Sequence, residues 1–276
     1  MCDGGQSAVT SAATASRPIL EKGRVIDNVA LGSGMGFITL EAPRVASMLL
    51  PGQFVHLRVG EPCGEHILRR PLSVCDFDAD AGLFKIYYQI KGGGTAALSA
   101  RGKGEELDFI GPIGRPWTPP EGCTRALLVG GGVGCAPLTP LYKALLEAGV
   151  EVQMIRGAQN ATMMAALEVL DFTNTGCKMI LTTDDGSVGY HGFVTVPARE
   201  CLQSGGYDYV ATCGPEPMQK LIAGMAAEAG VYCEVSLERR MACGIGACLS
   251  CVVDTTDGKK RACVDGPVFD ASVIVW

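Results

Sequence analysis

Four cysteines near the C-terminus constrain the fold of this chain more than any other feature. Cys243, Cys248 and Cys251 have the spacing C-x4-C-x2-C, and Cys263 follows after eleven intervening residues. Three cysteines on one loop with a detached fourth are the plant-type ligand pattern of a [2Fe-2S] cluster. The segment MACGIGACLSC also supplies glycines where a tight loop must wrap the sulfur atoms and turn backbone N–H groups toward them. The sequence therefore predicts a C-terminal segment that folds around a cluster.

Two other interpretations of these four cysteines stay open. Four thiolates also suit zinc, although structural zinc sites usually come from two C-x2–4-C knuckles rather than from three cysteines on one loop. The third possibility is ordinary buried thiols. The chain has 13 cysteines and no export signal, which argues against a disulfide framework. The remaining cysteines have no mutual spacing and are interpreted as small buried hydrophobes: Cys2, Cys63, Cys75, Cys123, Cys135, Cys177, Cys201, Cys213 and Cys233.

Composition excludes several classes of partner. The formal net charge is −6 and no run of lysine or arginine occurs, so a nucleic-acid partner is not expected. Residues 1–16 lack the basic start and apolar run of a secretory signal, and we interpret them as a flexible tail of a cytoplasmic protein. The uncharged stretch 126–142 is interrupted by glycines and prolines, which suits a strand, a turn and a helix better than a membrane span. No membrane partner is expected.

The distribution of turn residues and apolar runs along the chain predicts a multidomain β plus α/β protein. Residues 17–120 contain short strand-like runs separated by turn residues, as in an antiparallel β-barrel. Residues 121–230 alternate strands with helical periodicity, which indicates a doubly wound parallel sheet. Residues 231–276 form a small C-terminal segment with the cysteine pattern. The prolines of RPWTPPEGC mark the boundary between the first two parts.

Two loops of the α/β part are candidates for dinucleotide binding. LLVGGGVGCAPL joins a strand to a helix through closely spaced glycines, which let a backbone approach a pyrophosphate beside a helix N-terminus. Plain tight packing is an equally good reading of that loop alone, because it is not the strict G-x-G-x-x-G motif. CGPEPM again joins a strand to a helix, so both loops are expected beside one crevice. The candidate residues are Gly130, Gly131, Gly132, Gly134, Gly214 and Pro215.

Two motifs of the β part indicate an anion or an electron-rich ring. RRPLS places Arg70 against a rigid proline just before an apolar strand, although a solvated arginine pair at a strand edge remains an alternative. GGGT, which contains Gly94 and Thr95 and precedes a helix-like run, supplies a second anion-binding nest.

The order of these motifs resembles the ferredoxin reductase superfamily with a cluster domain added at the C-terminus. Within it, the chain is most similar to the electron-transfer subunits of NAD-dependent (type B) dihydroorotate dehydrogenases. The resemblance covers residues 18–269, and its sharpest matches are RRPLSVCD, TTDDGSVGYHGFVT, CGPEPM, SLERRMACGIGACLSC and ACVDGPVF.

The resemblance implies three cofactors: FAD, a [2Fe-2S] cluster and NAD. It assigns FAD binding to Arg70, Pro71, Leu72, Ser73, Tyr88, Gln89, Ile90, Gly94 and Thr95. It assigns the cluster to Cys243, Cys248, Cys251 and Cys263, and places Cys213 near the reacting nicotinamide ring. A long basic loop that would select NADP is missing, because IRGAQNATMM offers only Arg156, so NAD is expected. The implied partner is an FMN-containing dihydroorotate dehydrogenase catalytic subunit, in a heterotetramer with two copies of each chain.

The sequence leaves other functions open. A related reductase subunit of a sulfide dehydrogenase, an NAD(P) transhydrogenase or a hydrogenase would have nearly the same motifs. A zinc-stabilised binding module is a candidate from a different class. No residue resembles a catalytic base for dihydroorotate, and His56, His66 and His191 are interpreted as packed or solvated. The apolar terminus VFDASVIVW is either a docking segment or a final core strand.

Overall fold

The computed structural model describes residues 17–60, 65–170 and 178–276. The predicted flexible tail, residues 1–16, lies outside these ranges, as do Cys2, Cys63 and Cys177.

The first part of the chain forms a seven-stranded antiparallel sheet with the order β4-β3-β7-β1-β2-β6-β5. Alternating side chains explain its two faces: in β6, Phe84, Ile86 and Tyr88 point into the sheet's own core, while Tyr87 packs against the second sheet. The sheet is a half-barrel, which confirms the predicted antiparallel β architecture. Its strands are β1 Ile19–Gly32, β2 Met35–Glu41, β3 Phe54–Leu57, β4 Arg70–Ser73, β5 Asp76–Asp78, β6 Leu83–Gln89 and β7 Glu106–Ile113.

The second sheet has the order β11-β10-β9-β8-β12-β13-β16. All neighbouring pairs are parallel except the one between β13 and the last strand. The strand order reverses between β8 and β12, and the carboxyl ends of strands at such a switch point border a ligand crevice. The strands are β8 Arg125–Gly131, β9 Glu151–Ala158, β10 Lys178–Thr183, β11 Tyr190–His191, β12 Tyr209–Cys213, β13 Tyr232–Ser236 and β16 Val268–Asp270.

Helices cover both faces of the second sheet, as the predicted doubly wound class requires. Leu141 and Leu145 of one helix pack on one face, and Ala198 and Ile222 of two others pack on the opposite face. The helices are α1 Pro43–Ala46, α2 Gly93–Ser99, α3 Leu138–Glu147, α4 Ala161–Ala166, α5 Thr195–Ser204 and α6 Glu216–Glu228, with 3-10 turns at Gly132–Cys135 and Ala271–Val273.

The C-terminal segment shares two strands with the second sheet. β13 extends that sheet beyond residue 230, because VYCEVS continues the alternation of helix and strand after α6. The loop with the cysteines follows, together with a hairpin of β14 Val252–Thr255 and β15 Gly258–Arg261. The chain then returns to the sheet as β16, where Phe269 and Ile274 are buried. The apolar terminus is therefore mainly a core element rather than a free docking segment.

A buried carboxylate joins β13 to the prolyl linker, which is the segment RPWTPPEGC (residues 115–123) between the two sheets. Glu234 is 3% exposed and accepts hydrogen bonds from the Thr118 amide (2.9 Å), the Thr118 hydroxyl (2.5 Å) and the Tyr209 hydroxyl (2.5 Å). Burial raises the pKa of Glu234, and these three donors partly offset that shift. The carboxylate thus links the prolyl linker to the second sheet.

Replacing Glu234 with alanine is expected to lower the free energy of unfolding by about 3 kcal/mol, because it leaves buried donors unsatisfied and opens a cavity. Urea unfolding of the holoprotein measures this loss. Glu228→Ala, at an exposed position of α6, is the control and is expected to change stability by less than about 0.5 kcal/mol. Equal effects of the two substitutions would contradict the assigned role.

Candidate functional site

The two motifs of the half-barrel come together at the start of β4. A side chain added at Gly94 would place its Cβ 2.5 Å from Nε of Arg70, so the arginine packs directly under the GGGT turn. The Thr95 hydroxyl accepts a hydrogen bond from the Lys91 amide (3.0 Å), which stabilises that turn. Arg69 has a structural role, since it forms an ion pair with Asp108. Arg70 is thus the arginine of the pair that lies at the turn.

The residues on β4 and β6 that the resemblance assigned to flavin binding differ in accessibility. The side chains of β4, from Arg70 to Ser73, are half-buried. Tyr88 is 1% exposed, and its hydroxyl donates to Oδ1 of Asn28 (2.9 Å) inside the half-barrel. Gln89 and Ile90 are half-buried beyond it. The phenol of Tyr88 is therefore a core group. The partly accessible residues of this stretch are Gln89 and Ile90, at its end.

The two glycine-rich loops of the second sheet meet at the switch point. β8 and β12 are neighbours, and Gly130 pairs with Cys213. A Cβ at Gly134 would lie 2.5 Å from the Cys213 carbonyl oxygen, and a Cβ at Gly131 would lie 3.1 Å from Pro215 Cδ. Gly214 has φ +150° and lies as close to Gly131. Glycine is required at positions 134 and 214 because backbone packs against backbone there, whereas a Cβ at Gly131 would meet the side chains of Pro215 and Met218.

Cys213 lies at the carboxyl end of β12, at the junction of the two loops. It is 3% exposed. Burial raises the pKa of its thiol strongly, and the charge of Glu238 acts in the same direction, while a hydrogen bond with Ser236 opposes them. The sulfur is therefore a protonated thiol that packs in the buried core rather than a nucleophilic thiolate. Its predicted proximity to a nicotinamide ring stays a prediction.

Arg156, the one basic residue in the segment IRGAQNATMM where an NADP-selecting loop was expected to be missing, points inward. It is 5% exposed, and its guanidinium donates to the carbonyls of Leu167 (3.0 Å) and Leu170 (3.0 Å). These bonds satisfy carbonyl groups that follow α4. Arg156 is thus committed to the fold and does not face the crevice.

The chain brings the four cysteines together as two pairs. The hairpin β14–β15 starts just after Cys251 and ends just before Cys263, and its pairing of Val252 with Arg261 holds those two thiols in contact. Cys243 and Cys248 form the other pair on the preceding loop. Two thiolates for each of two irons is what a [2Fe-2S] cluster requires. Within residues 17–60, 65–170 and 178–276, no three potential ligands converge as they would for a single ion.

Local hydrogen bonds prepare this loop for ligation. Burial alone would raise the pKa of Cys243, but hydrogen bonds from the Ile245 backbone and from Cys248 outweigh it and lower the pKa to about 6. Burial and the neighbouring Cys251 thiol raise the pKa of Cys263 to about 12, a shift that iron ligation reverses, since a coordinated thiol loses its proton. Arg261 donates to the Gly246 carbonyl (3.2 Å) and secures the loop. The residues present fit a two-iron cluster.

Sequence reasoning interpreted His56 as packed or solvated and did not predict that it lies at the cysteine loop. His56 of β3 is 0% exposed, and its imidazole lies against Gly244, so a Cβ there would sit 2.4 Å from Nδ1. Burial, with the charge of Arg69 acting in the same direction, lowers the pKa of His56 to about 4, so the ring is neutral. A polar residue in the otherwise apolar run FVHL was the available signal.

Three apolar side chains on and next to the cysteine loop are exposed. Ile245 is 57% exposed, Leu249 is 63% exposed and Val264 is 40% exposed. All three lie within two residues of a cluster cysteine in the sequence. Such a group of apolar side chains around a functional centre is typical of a protein contact surface.

The fold and these sites define a class: a flavin reductase of the ferredoxin reductase type with a C-terminal iron–sulfur segment. A family model for the iron–sulfur cluster binding domain of dihydroorotate dehydrogenase B matches residues 238–275. One chain of an NADH-dependent reduced ferredoxin-NADP oxidoreductase superposes with a TM-score of 0.81 at 34% identity, over 92% of this chain and 90% of that one. A ferredoxin reductase of carbazole 1,9a-dioxygenase shares the fold (TM-score 0.63, 20% identity, 79% and 68% coverage).

Relatives at higher identity specify the family. The electron transfer subunit of dihydroorotate dehydrogenase B (NAD(+)) from Geobacillus thermodenitrificans is 40% identical over 86% of this chain and 91% of the relative. The corresponding subunit from Desulforamulus reducens is 36% identical over 87% and 92%. The chain belongs to this family of electron transfer subunits, which confirms the resemblance inferred from the motifs. None of the described helices is long and apolar enough to cross a membrane.

Proposed function

We propose that this chain carries electrons between NAD(H) and the FMN of a separate dihydroorotate dehydrogenase catalytic subunit, through its own FAD and [2Fe-2S] cluster. The observation that carries the proposal is the packing of the cluster loop on the half-barrel: Gly244 lies directly on His56, a residue of the strand paired with β4. The flavin-binding motif and the cluster cysteines are therefore adjacent. Direct adjacency is what electron transfer between two cofactors needs.

Each bound group supplies a different part of the chemistry. Nicotinamide transfers two electrons as a hydride, and the cluster accepts one electron at a time. A flavin can exchange electrons in either way, so it can link the two steps. Arg70 and the GGGT turn, with Gly94 and Thr95, would hold FAD through its phosphates or its ring. The loops that contain Gly134 and Gly214 would hold the nicotinamide dinucleotide at the switch point. The buried Cys213 would shape the crevice beside the reacting ring.

The chain is expected to prefer NADH over NADPH. Arg156 is committed to the carbonyls of Leu167 and Leu170, so it is not free to bind the 2′-phosphate that distinguishes the two nucleotides. We expect kcat/KM for NADH to exceed that for NADPH by at least about tenfold, the equivalent of a single ordinary hydrogen bond or ion pair. Steady-state reduction of an artificial dye with each nucleotide measures the ratio. Comparable values would contradict the assignment.

The partner surface is the apolar group of Ile245, Leu249 and Val264. Because these side chains are exposed beside the cluster, a catalytic subunit that covers them would bring its FMN near the iron atoms. We propose an assembly with two copies of each chain in the cytoplasm. Dihydroorotate itself would be oxidised on the catalytic subunit, since this chain presents no candidate base for that reaction.

The first test is chemical analysis of the purified chain. We expect one FAD, two irons and two acid-labile sulfides per chain, and dye reduction by NADH without dihydroorotate oxidation. Heat release of the flavin identifies it by chromatography. A colourless zinc protein, or FMN in place of FAD, would overturn the proposal.

A related reductase subunit that serves a different partner is the second candidate. It is favoured by the 34% identity and the 0.81 TM-score with a chain of the NADH-dependent reduced ferredoxin-NADP oxidoreductase. Cofactor content does not separate the two candidates. The identity of the flavoprotein that copurifies with the chain does.

A further inference from the structure

His56 is a polar residue at a position where the fold calls for an apolar one. In β3 the side chains of Val55 and Leu57 point into the core of the half-barrel, whereas Phe54 and His56 point to the opposite face. Phe54 on that face packs in the same buried cluster as Cys251 and Cys263. His56 therefore faces the cluster segment from inside the molecule.

Both nitrogen atoms of the imidazole are buried, and neither makes a well-formed hydrogen bond within the part of the chain that the structure describes. Leaving a buried polar group without a well-formed hydrogen bond is energetically unfavourable. An isolated buried imidazole of this kind needs a function or a partner. Polar backbone groups of Arg69 and Cys243 lie close enough to the ring to raise the pKa of His56, although burial outweighs them.

The position of the ring connects two functional elements. On one side, His56 pairs with Pro71 of β4, and its carbonyl accepts a hydrogen bond from Arg69 (3.3 Å). On the other side, Nδ1 lies against Gly244, whose φ of +71° turns the loop directly after Cys243. The imidazole thus fills the contact between the flavin-binding strand and the first cluster ligand.

We propose that His56 is a positioning residue for the iron–sulfur cluster: its imidazole holds the Cys243–Gly244 backbone against the half-barrel and directs an N–H group toward the Cys243 side of the cluster. The proposal rests on the proposed function, because it assumes that the cluster is bound. Hydrogen-bond donors near cluster sulfurs stabilise the more negative reduced state and so raise the reduction potential. Loss of the N–H is therefore expected to make the cluster harder to reduce.

The test compares two substitutions of His56 in the full-length holoprotein. His56→Leu keeps a similar volume without a donor, and His56→Gln keeps an N–H donor. An EPR-monitored redox titration is expected to show that His56→Leu raises the oxidised-to-reduced ratio of the cluster at a fixed potential by about tenfold, which is ~59 mV for one electron. His56→Gln is expected to stay within about twofold of the parent, as is the exposed control His191→Gln.

Several outcomes would overturn the proposal. An unchanged potential in His56→Leu would show that the imidazole does not influence the cluster. Equal shifts in the leucine and glutamine variants would show that only the fit of the side chain matters. Chemical analysis of the unmodified protein is done first, so that absence of FAD or iron counts against the proposed function rather than against His56.

A measurement on the unmodified protein covers the case in which His56→Leu does not fold. The chain has only three histidines, so 15N-histidine labelling gives a simple spectrum. Pulsed EPR of the reduced cluster is expected to detect a weak coupling to a histidine nitrogen that persists in His191→Gln and disappears in His56→Gln. Absence of any histidine coupling in the parent would contradict the proposal.

Discussion

Replacing Cys248 with alanine is expected to abolish electron delivery beyond the flavin while NADH still reduces the FAD. Cys248 is exposed, so its replacement removes little packing and mainly removes a thiol that we predict to be an iron ligand. Loss of an outer partner of a metal ligand already costs about 10–100-fold in metal affinity or activity, and loss of a ligand itself is expected to cost at least about a hundredfold. The quantity to measure is NADH-driven reduction of a one-electron acceptor that docks at the cluster.

The matched control is Cys201→Ala, which removes a thiol from α5 outside the cluster loop. It is expected to retain the iron content and both reactions. If Cys248→Ala keeps its iron and its coupled activity, the ligand assignment is wrong. If it loses FAD reduction as well, the flavin and the cluster do not form separate stages of a relay.

Replacing Gly134 with valine is expected to slow reduction of the flavin by NADH by about a hundredfold, because displacements of about 1 Å in a reacting geometry cost that much. A Cβ at this position would lie 2.5 Å from the carbonyl oxygen of Cys213 and 2.6 Å from the amide nitrogen of Gly214. Both atoms belong to the backbone and cannot turn away. The substitution would therefore force the two nucleotide loops apart. Rapid-mixing absorbance at the flavin band measures the rate.

Gly224→Ala is the control for this experiment. Gly224 lies inside α6, and an added Cβ would meet nothing within 4 Å. We expect unchanged kinetics and a gain in stability of about 0.5–1 kcal/mol, the usual advantage of alanine over glycine in a helix. FAD is expected to remain bound in both variants, since its motifs lie on the half-barrel. A normal rate in Gly134→Val would move the nicotinamide site away from the switch point.

Local motifs allowed most of the architecture to be predicted. The alternation of strands and helices indicated the parallel sheet, and it also implied that the loops after β8 and β12 would lie at one edge. The proximity of Cys251 and Cys263 follows from the hairpin between them. The two predictions about the second sheet succeeded because the pattern of short segments determines both features.

Other features depend on contacts between distant segments. Sequence reasoning identified Arg156 as the one basic residue of IRGAQNATMM, but not that it binds carbonyl groups near the end of α4. Tyr88 carries a polar group, but its position in β6 turns that group into the core, toward Asn28. The roles of Glu234 and His56 arise from segments far apart in the sequence. Periodicity alone does not contain this information.

The most direct test of the relay is reconstitution with the dihydroorotate dehydrogenase catalytic subunit of the same organism. Dihydroorotate loses two electrons and two protons as orotate forms, and NAD+ takes up a hydride. We expect the mixture, but neither protein alone, to form one NADH for each orotate, and we expect Cys248→Ala to stop this turnover. If both proteins carry their cofactors and react with their own substrates, yet the mixture forms no NADH from dihydroorotate, the chain serves a different partner.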